Sequence, residues 1–93
     1  MAERRAVKAN VKGRVQGVGF RYSTQRQARR LGVNGWVRNE RDGTVTVVAE
    51  GPKPAVDEMI RWLHEGPGFA SVADVTVNEY PYEAKYSSFT VEP

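Results

Sequence analysis

From residue 6 to residue 15 apolar and polar side chains alternate without interruption. Val7, Ala9, Val11, Gly13 and Val15 fall on one side, and Lys8, Asn10, Lys12 and Arg14 on the other. A period of two marks a strand with one buried face. After a glycine-containing loop the period changes: Phe20, Thr24, Ala28 and Leu31 recur at helical spacing. Arg29 and Arg30 fall in the last turn, where cations suit the helix dipole, and Gly32 ends the helix. A second strand is expected over 33–39 (VNGWVRN), Asp42-Gly43 signals a hairpin, and 44–50 (TVTVVAE) returns from it. Pro52 and Pro54 bracket the start of a second helix. Its apolar stripe is Val56, Met59, Ile60 and Leu63, and Gly66-Pro67-Gly68 stops it. Residues 72–80 read as a fourth strand and 88–91 as a short fifth.

The order β-α-β-β-α-β with an added short strand predicts an α+β fold of the split βαβ, ferredoxin-like kind. One-sided strands and one-striped helices place both helices on one face of an antiparallel-rich sheet. At 93 residues the expectation is a single domain over 1–93 with one modest core. A hydrophobic share of 40% and a charged share of 27% are those of an ordinary globular chain. No apolar run approaches the about 18 residues of a membrane span, and Met1-Ala2-Glu3-Arg4-Arg5 lacks the apolar stretch of a signal peptide. The absence of cysteine removes disulfides, thiol nucleophiles and Cys-held metals together. A cytoplasmic monomer without metal or cofactor is the resulting expectation. A net charge of +3 hints at an anionic partner, although it also serves plain solubility.

The loop 16–21 (QGVGFR) gives that charge a focus. Gly17 and Gly19 permit backbone conformations in which successive N–H groups converge on one concavity. The loop feeds the positive end of a helix, which attracts anions. Arg21 adds a planar, permanently charged fork suited to phosphate oxygens. On composition alone a plain strand-to-helix turn is the commoner explanation, because glycine patterns recur by chance. The loop lacks the GxxxxGK[ST] of a nucleoside-triphosphate loop and the GxGxxG of a dinucleotide fold. In a split βαβ unit the first two helix-linked strands are parallel, so this loop and Asn39 should meet at one sheet edge. Asn39 can donate and accept hydrogen bonds and could hold a water over a bound phosphorus; it could equally be the asparagine that starts a turn.

These residues together, GRVQGVGFR at 13–21, ARRLG at 28–32, GWVRN at 35–39 and then Asp42-Gly43, closely resemble the acylphosphatase family. Glu50-Gly51, Trp62-Leu63, Gly66-Pro67, Ala70, Val72 and the terminal Phe89-Thr90-Val91 extend the resemblance over almost the whole chain. It implies hydrolysis of carboxylic–phosphoric mixed anhydrides to carboxylate and phosphate. It also implies that Arg21 binds the phosphoryl group with the backbone of Gln16, Gly17, Val18, Gly19 and Phe20, while Asn39 positions the attacking water. The implied partners are a small acyl phosphate and inorganic phosphate, with no nucleic acid, membrane or metal. Gly19 sits where the family pattern is loose. Glu40 brings a negative charge beside the anion site, unfavourable if it points inward.

Two other readings compete. RNA-recognition domains share the element order but carry aromatics on strands one and three; here strand three is TVTVVA and strand one has none. A catalytically silent acylphosphatase-like module, of the sort fused within larger enzymes, is disfavoured by the presence of both Arg21 and Asn39. Ser23 and Thr24 are minor candidates for helping to hold phosphate. His64 reads as a solvated helix-end residue, Asp57 and Arg61 as an i, i+4 pair, and Trp36, Trp62, Tyr80 and Tyr82 as packing or surface aromatics.

Overall fold

The computed structural model describes residues 3–93; Met1 and Ala2, part of the stretch inspected above for a leader, lie outside the described residues. The elements run β1 (Arg4–Arg14), α1 (Phe20–Leu31), β2 (Asn34–Asn39), β3 (Val45–Pro52), α2 (Lys53–Glu65), β4 (Ser71–Tyr80) and β5 (Phe89–Val91). The sheet order is β4-β1-β3-β2-β5. β3 pairs antiparallel with β1 and with β2, β4 pairs antiparallel with β1, and β5 lies parallel to β2. This is the expected ferredoxin-like α+β architecture, with the fifth strand at the edge beyond β2. Neither helix is long and apolar enough to cross a membrane.

The period-two pattern resolves into a buried and an open face. Val7, Ala9 and Val11 of β1, Val37 of β2 and Val45, Val47 and Ala49 of β3 face the helices and are fully buried. Phe20 and Ala28 of α1 and Val56, Met59 and Leu63 of α2 meet them, and the Phe20 and Trp62 rings pack with centroids 5.9 Å apart. Burying each large aliphatic or aromatic side chain stabilises by roughly 1.5–3 kcal/mol. This layer is what fixes the strands' register. Both glycine stops hold: Gly32 caps α1 in the left-handed conformation, and Gly66 ends α2 with its N–H on the Trp62 carbonyl.

The structure departs from the sequence pattern in two places. Gly13, expected on the buried side with Val11 and Val15, is exposed. The β1–β4 register shifts between Lys12 and Gly13, and a Cβ at Gly13 would lie 2.2 Å from the Ser71 carbonyl oxygen. The bulge skips Ala73 and breaks the alternation just before the loop. Asp57 does not pair with Arg61. It binds Arg5 of β1 at 2.6 Å and Lys53 at 3.0 Å, while Arg61 turns to Glu58 at 2.7 Å. Arg5 reaches from the sheet and also grips Glu79 of β4, so one guanidinium ties α2 to two strands.

Residues 81–88 carry the chain from β4 at one edge to β5 at the other, passing over the open face. Asn34 Nδ2 donates to the Tyr86 carbonyl at 3.1 Å, and the Tyr86 N–H donates to Glu50 Oε1 at 3.1 Å.

Glu79 is held below the usual carboxylate range mainly by the Arg5 hydrogen bond, and Asp57 by hydrogen bonds from Lys53 and then Arg5. Carboxyls depressed on folding contribute stability that is present above their unfolded pKa of about 4 and lost as pH falls through the lower folded value. The urea midpoint should therefore fall as pH drops from about 5 towards 2. Arg5→Met should flatten that dependence. A variant whose midpoint follows pH as steeply as the parent would show that the cluster does not couple to folding.

Candidate active site

β1 and β2 flank β3 and run parallel to each other, so their C-terminal ends share one edge of the sheet. The loop after β1 begins at buried Val15 and enters α1 through Gly17 and Gly19, at φ +75° and +79°. A Cβ at either glycine would meet nothing within 4 Å. The glycines are required by conformation rather than space, since the left-handed region costs other residues about 1–2 kcal/mol. Gly19 caps α1 with no side-chain hydrogen bond, and the first turn holds no acidic residue. The amides at this helix start are thus left for an anion.

Arg21 lies in that first turn. Its Nη1 donates to the Glu92 carbonyl at 3.1 Å, and the Glu92 N–H is itself anchored on the Val37 carbonyl at 2.8 Å. The chain after β5 therefore steers the guanidinium and leaves most of its donors unused. Asn39 ends β2 on the helix-facing side, in line with Gly35 and Val37, and opposite Val45. Its Oδ1 is buried without a hydrogen-bond partner among the described residues. A pocket of about 100 Å³ brings the groups together, lined by Val15, Gly17, Gly19, Phe20, Arg21, Tyr22 and Asn39. That is space for several water-sized groups.

The loop residues do different work. Gln16 turns its side chain away from the pocket: Nε2 donates to the Glu40 carbonyl at 2.8 Å and the Thr44 carbonyl at 2.9 Å. It clamps the loop to the hairpin that follows Asn39. Val18 packs against the core, and the Phe20 ring is buried against Trp62, so these two offer only backbone to a ligand. Thr24 is buried and its hydroxyl donates to the Phe20 carbonyl at 2.7 Å, which removes it as a phosphate donor. No side-chain hydrogen bond engages Ser23 among the described residues.

Glu40 does not point into the site. Thr46 Oγ1 donates to its carboxylate and Arg38 binds it at 3.1 Å, holding it towards the open face. The Thr46 hydroxyl first, and Arg38 second, keep its pKa below the usual carboxylate range. Asp42 caps the hairpin instead of forming a tight two-residue turn, accepting from the Thr44 N–H at 3.0 Å and hydroxyl at 2.6 Å. His64 is exposed at the end of α2, as expected.

The sequence missed three contributors. Val15 and Tyr22 line the pocket, and the Glu92 carbonyl positions Arg21. Tyr22 carried a signal, an aromatic on the polar side of a helix next to the key arginine. Glu92 carried none, because a backbone acceptor depends only on where β5 docks.

The family model for acylphosphatase matches residues 7–91. The chain belongs to the acylphosphatase family. The acylphosphatase of Rubrobacter xylanophilus is 54% identical over 85 residues, covering 91% of this chain and 77% of that protein. The acylphosphatase structure from Bacillus subtilis superposes with a TM-score of 0.91 at 36% identity, covering 96% of this chain and 99% of that one. The one from Coxiella burnetii gives a TM-score of 0.90 at 38% identity, over 96% and 93%. The chain is thus an enzyme of the family that hydrolyses acyl phosphates to carboxylate and phosphate.

The Gln16 clamp makes a separate forecast. Gln16→Ala removes two hydrogen bonds between loop and hairpin and should cost about 1–2 kcal/mol of stability in urea unfolding. It should also lower kcat/KM, because the loop and Asn39 lose their common tie. Unchanged unfolding and unchanged turnover together would show that the clamp is idle.

Proposed function

We propose that catalysis divides between two side chains: Arg21, with the amides of loop 16–20, holds the phosphoryl group, and Asn39 orients the water that attacks it. The observation that carries this reading is the unpartnered, buried Asn39 Oδ1 in the pocket that Arg21 also lines. A buried acceptor without a donor is costly, and a water donating one hydrogen to it satisfies it. With that hydrogen fixed, a water lone pair is free to point at phosphorus. Arg21 and the helix-start amides hold the phosphoryl oxygens from the other side, which suits an in-line displacement.

The leaving group is a carboxylate whose conjugate acid has a pKa of about 4, so it departs unprotonated at neutral pH and needs no general acid. The water proton passes to a phosphate oxygen of the substrate. Enzymatic accelerations begin near roughly 8 kcal/mol of barrier lowering. Holding water against a fixed phosphoryl group supplies up to about 7–11 kcal/mol. Each well-placed charge-stabilising donor adds about 2.7–4 kcal/mol. One arginine, a cradle of amides and one ordered water are enough. A single chain supplies every group used, which supports a monomer as the active species.

The test is hydrolysis of a small acyl phosphate with EDTA present. Asn39→Ala should lower kcat about 10²–10³-fold with little change in KM, because it removes the water and not the phosphate grip. Arg21→Ala should lower kcat/KM at least as much and abolish competitive inhibition by inorganic phosphate. Full activity in either variant would overturn its assigned role, and a wild-type enzyme silenced by EDTA would overturn metal-independent catalysis.

A further inference from the structure

A second, larger cavity lies on the opposite face and at the opposite end of the sheet. It holds about 260 Å³ between the open face and the strap of residues 81–88. Its floor is Val48 and Glu50 of β3 with Lys8 of β1, and its aromatic walls are Trp36, Tyr80 and Tyr86. Nothing in the hydrolytic site reaches it.

Glu50 is the unusual member. Its register opposite Ala6 and Asn34 directs it to the open face, yet the strap leaves it only 4% exposed. Oε1 accepts from the Tyr86 N–H, while Oε2 is buried with no partner among the described residues. A carboxylate oxygen left so demands a donor, and a charged donor most of all. The chain's own cations do not meet that demand. Lys85 is engaged with Glu83 at 3.4 Å, and exposed Lys8 makes no ion pair among the described residues.

We propose that this cavity binds a small organic cation: a primary ammonium whose N–H donates to Glu50 Oε2 and whose apolar, ring-sized body lies among Trp36, Tyr80 and Tyr86. The cavity is slightly smaller than the usual ligand site, so it suits a molecule of at most about ten heavy atoms. Aromatic walls beside a carboxylate favour such a cation through both ring faces and charge. An anion of the same shape would meet Glu50 Oε2 with no proton to offer.

The probe is benzylammonium, titrated into the ¹⁵N-labelled protein and followed at the Trp36 indole N–H and the Tyr86 amide. Saturable shifts confined to these groups and their neighbours are expected. Phenylacetate, of similar size and opposite charge, should produce none. Glu50→Gln preserves an acceptor for the Tyr86 N–H but loses the charge. It should weaken benzylammonium about tenfold or more while acyl phosphate hydrolysis stays at the parental rate. Lys8→Met removes a like charge from the rim and should tighten binding. The proposal is overturned if the shifts do not saturate, if phenylacetate binds as well, or if Glu50→Gln binds undiminished. Should Glu50→Gln fail to fold, an unchanged or weakened affinity in Lys8→Met overturns it instead.

Discussion

The two hydrogen-bonded ladders on either side of β3 are the constraint on which the molecule depends. β1 and β2 are not neighbours in the sheet; each pairs antiparallel with β3, from Arg4↔Pro52 to Val11↔Val45 on one side and from Asn34↔Glu50 to Asn39↔Val45 on the other. Val45 is therefore opposite both Val11 and Asn39, and this shared partner sets how far the end of β1 lies from the end of β2. Side chains of β3 are buried on both faces, by the helices on one side and by the hairpin and strap on the other. A slip of one residue on either ladder would turn Asn39 to the open face or carry loop 16–21 away from it. The packed valines that prevent such a slip are what keep Asn39 and Arg21 on one pocket.

The same ladders explain which features were legible in the sequence. Element order, both helix stops and the meeting of Asn39 with the loop follow from period, punctuation and the parallel relation of two strands, all local or topological. The Asp57–Arg61 pair failed because helix spacing names only intrahelical neighbours, whereas Arg5 approaches Asp57 across the sheet and brings a second carboxylate. Gly13 failed because a bulge is decided between two strands and leaves no mark on the period of one. The Glu92 carbonyl was out of reach for a simpler reason: any residue there offers the same acceptor. Glu50 was visible only as one letter of a family pattern. Its burial follows from a strap that must cross three strands to carry the chain from β4 to β5.

Polar groups inside the fold separate into satisfied and unsatisfied sets, and the separation is informative. Thr24, Thr46 and Thr44 are buried, and each spends its hydroxyl within the chain, on the Phe20 carbonyl, the Glu40 carboxylate and Asp42 respectively. Gln16 is used up in the same way on two carbonyls. Against that background only Asn39 Oδ1 and Glu50 Oε2 are buried side-chain atoms without partners among the described residues. The chain satisfies its buried hydroxyls consistently, and these two acceptors are the exceptions. Arg38 lies one residue before Asn39 and is spent on Glu40, and Lys8 lies at the rim of the cavity that holds Glu50.

Both unpartnered atoms are acceptors, and they lie on different faces of the sheet. Asn39 is neutral, so its vacant site suits a water and, on the reading proposed above, would not repel a phosphoryl group held by Arg21, whereas an aspartate would. Glu50 is acidic, and its open oxygen suits a charged donor better than a single water. The fold keeps the two apart, on opposite faces and opposite ends of the sheet, separated by the length of β3 from Val45 to Glu50. That separation matters electrostatically. A carboxylate at the phosphate loop would work against Arg21, and the one acidic side chain next to Asn39, Glu40, is drawn to the far side by Thr46 and Arg38. The positive character of the site thus comes less from the net charge of the chain than from where its hairpin directs one glutamate.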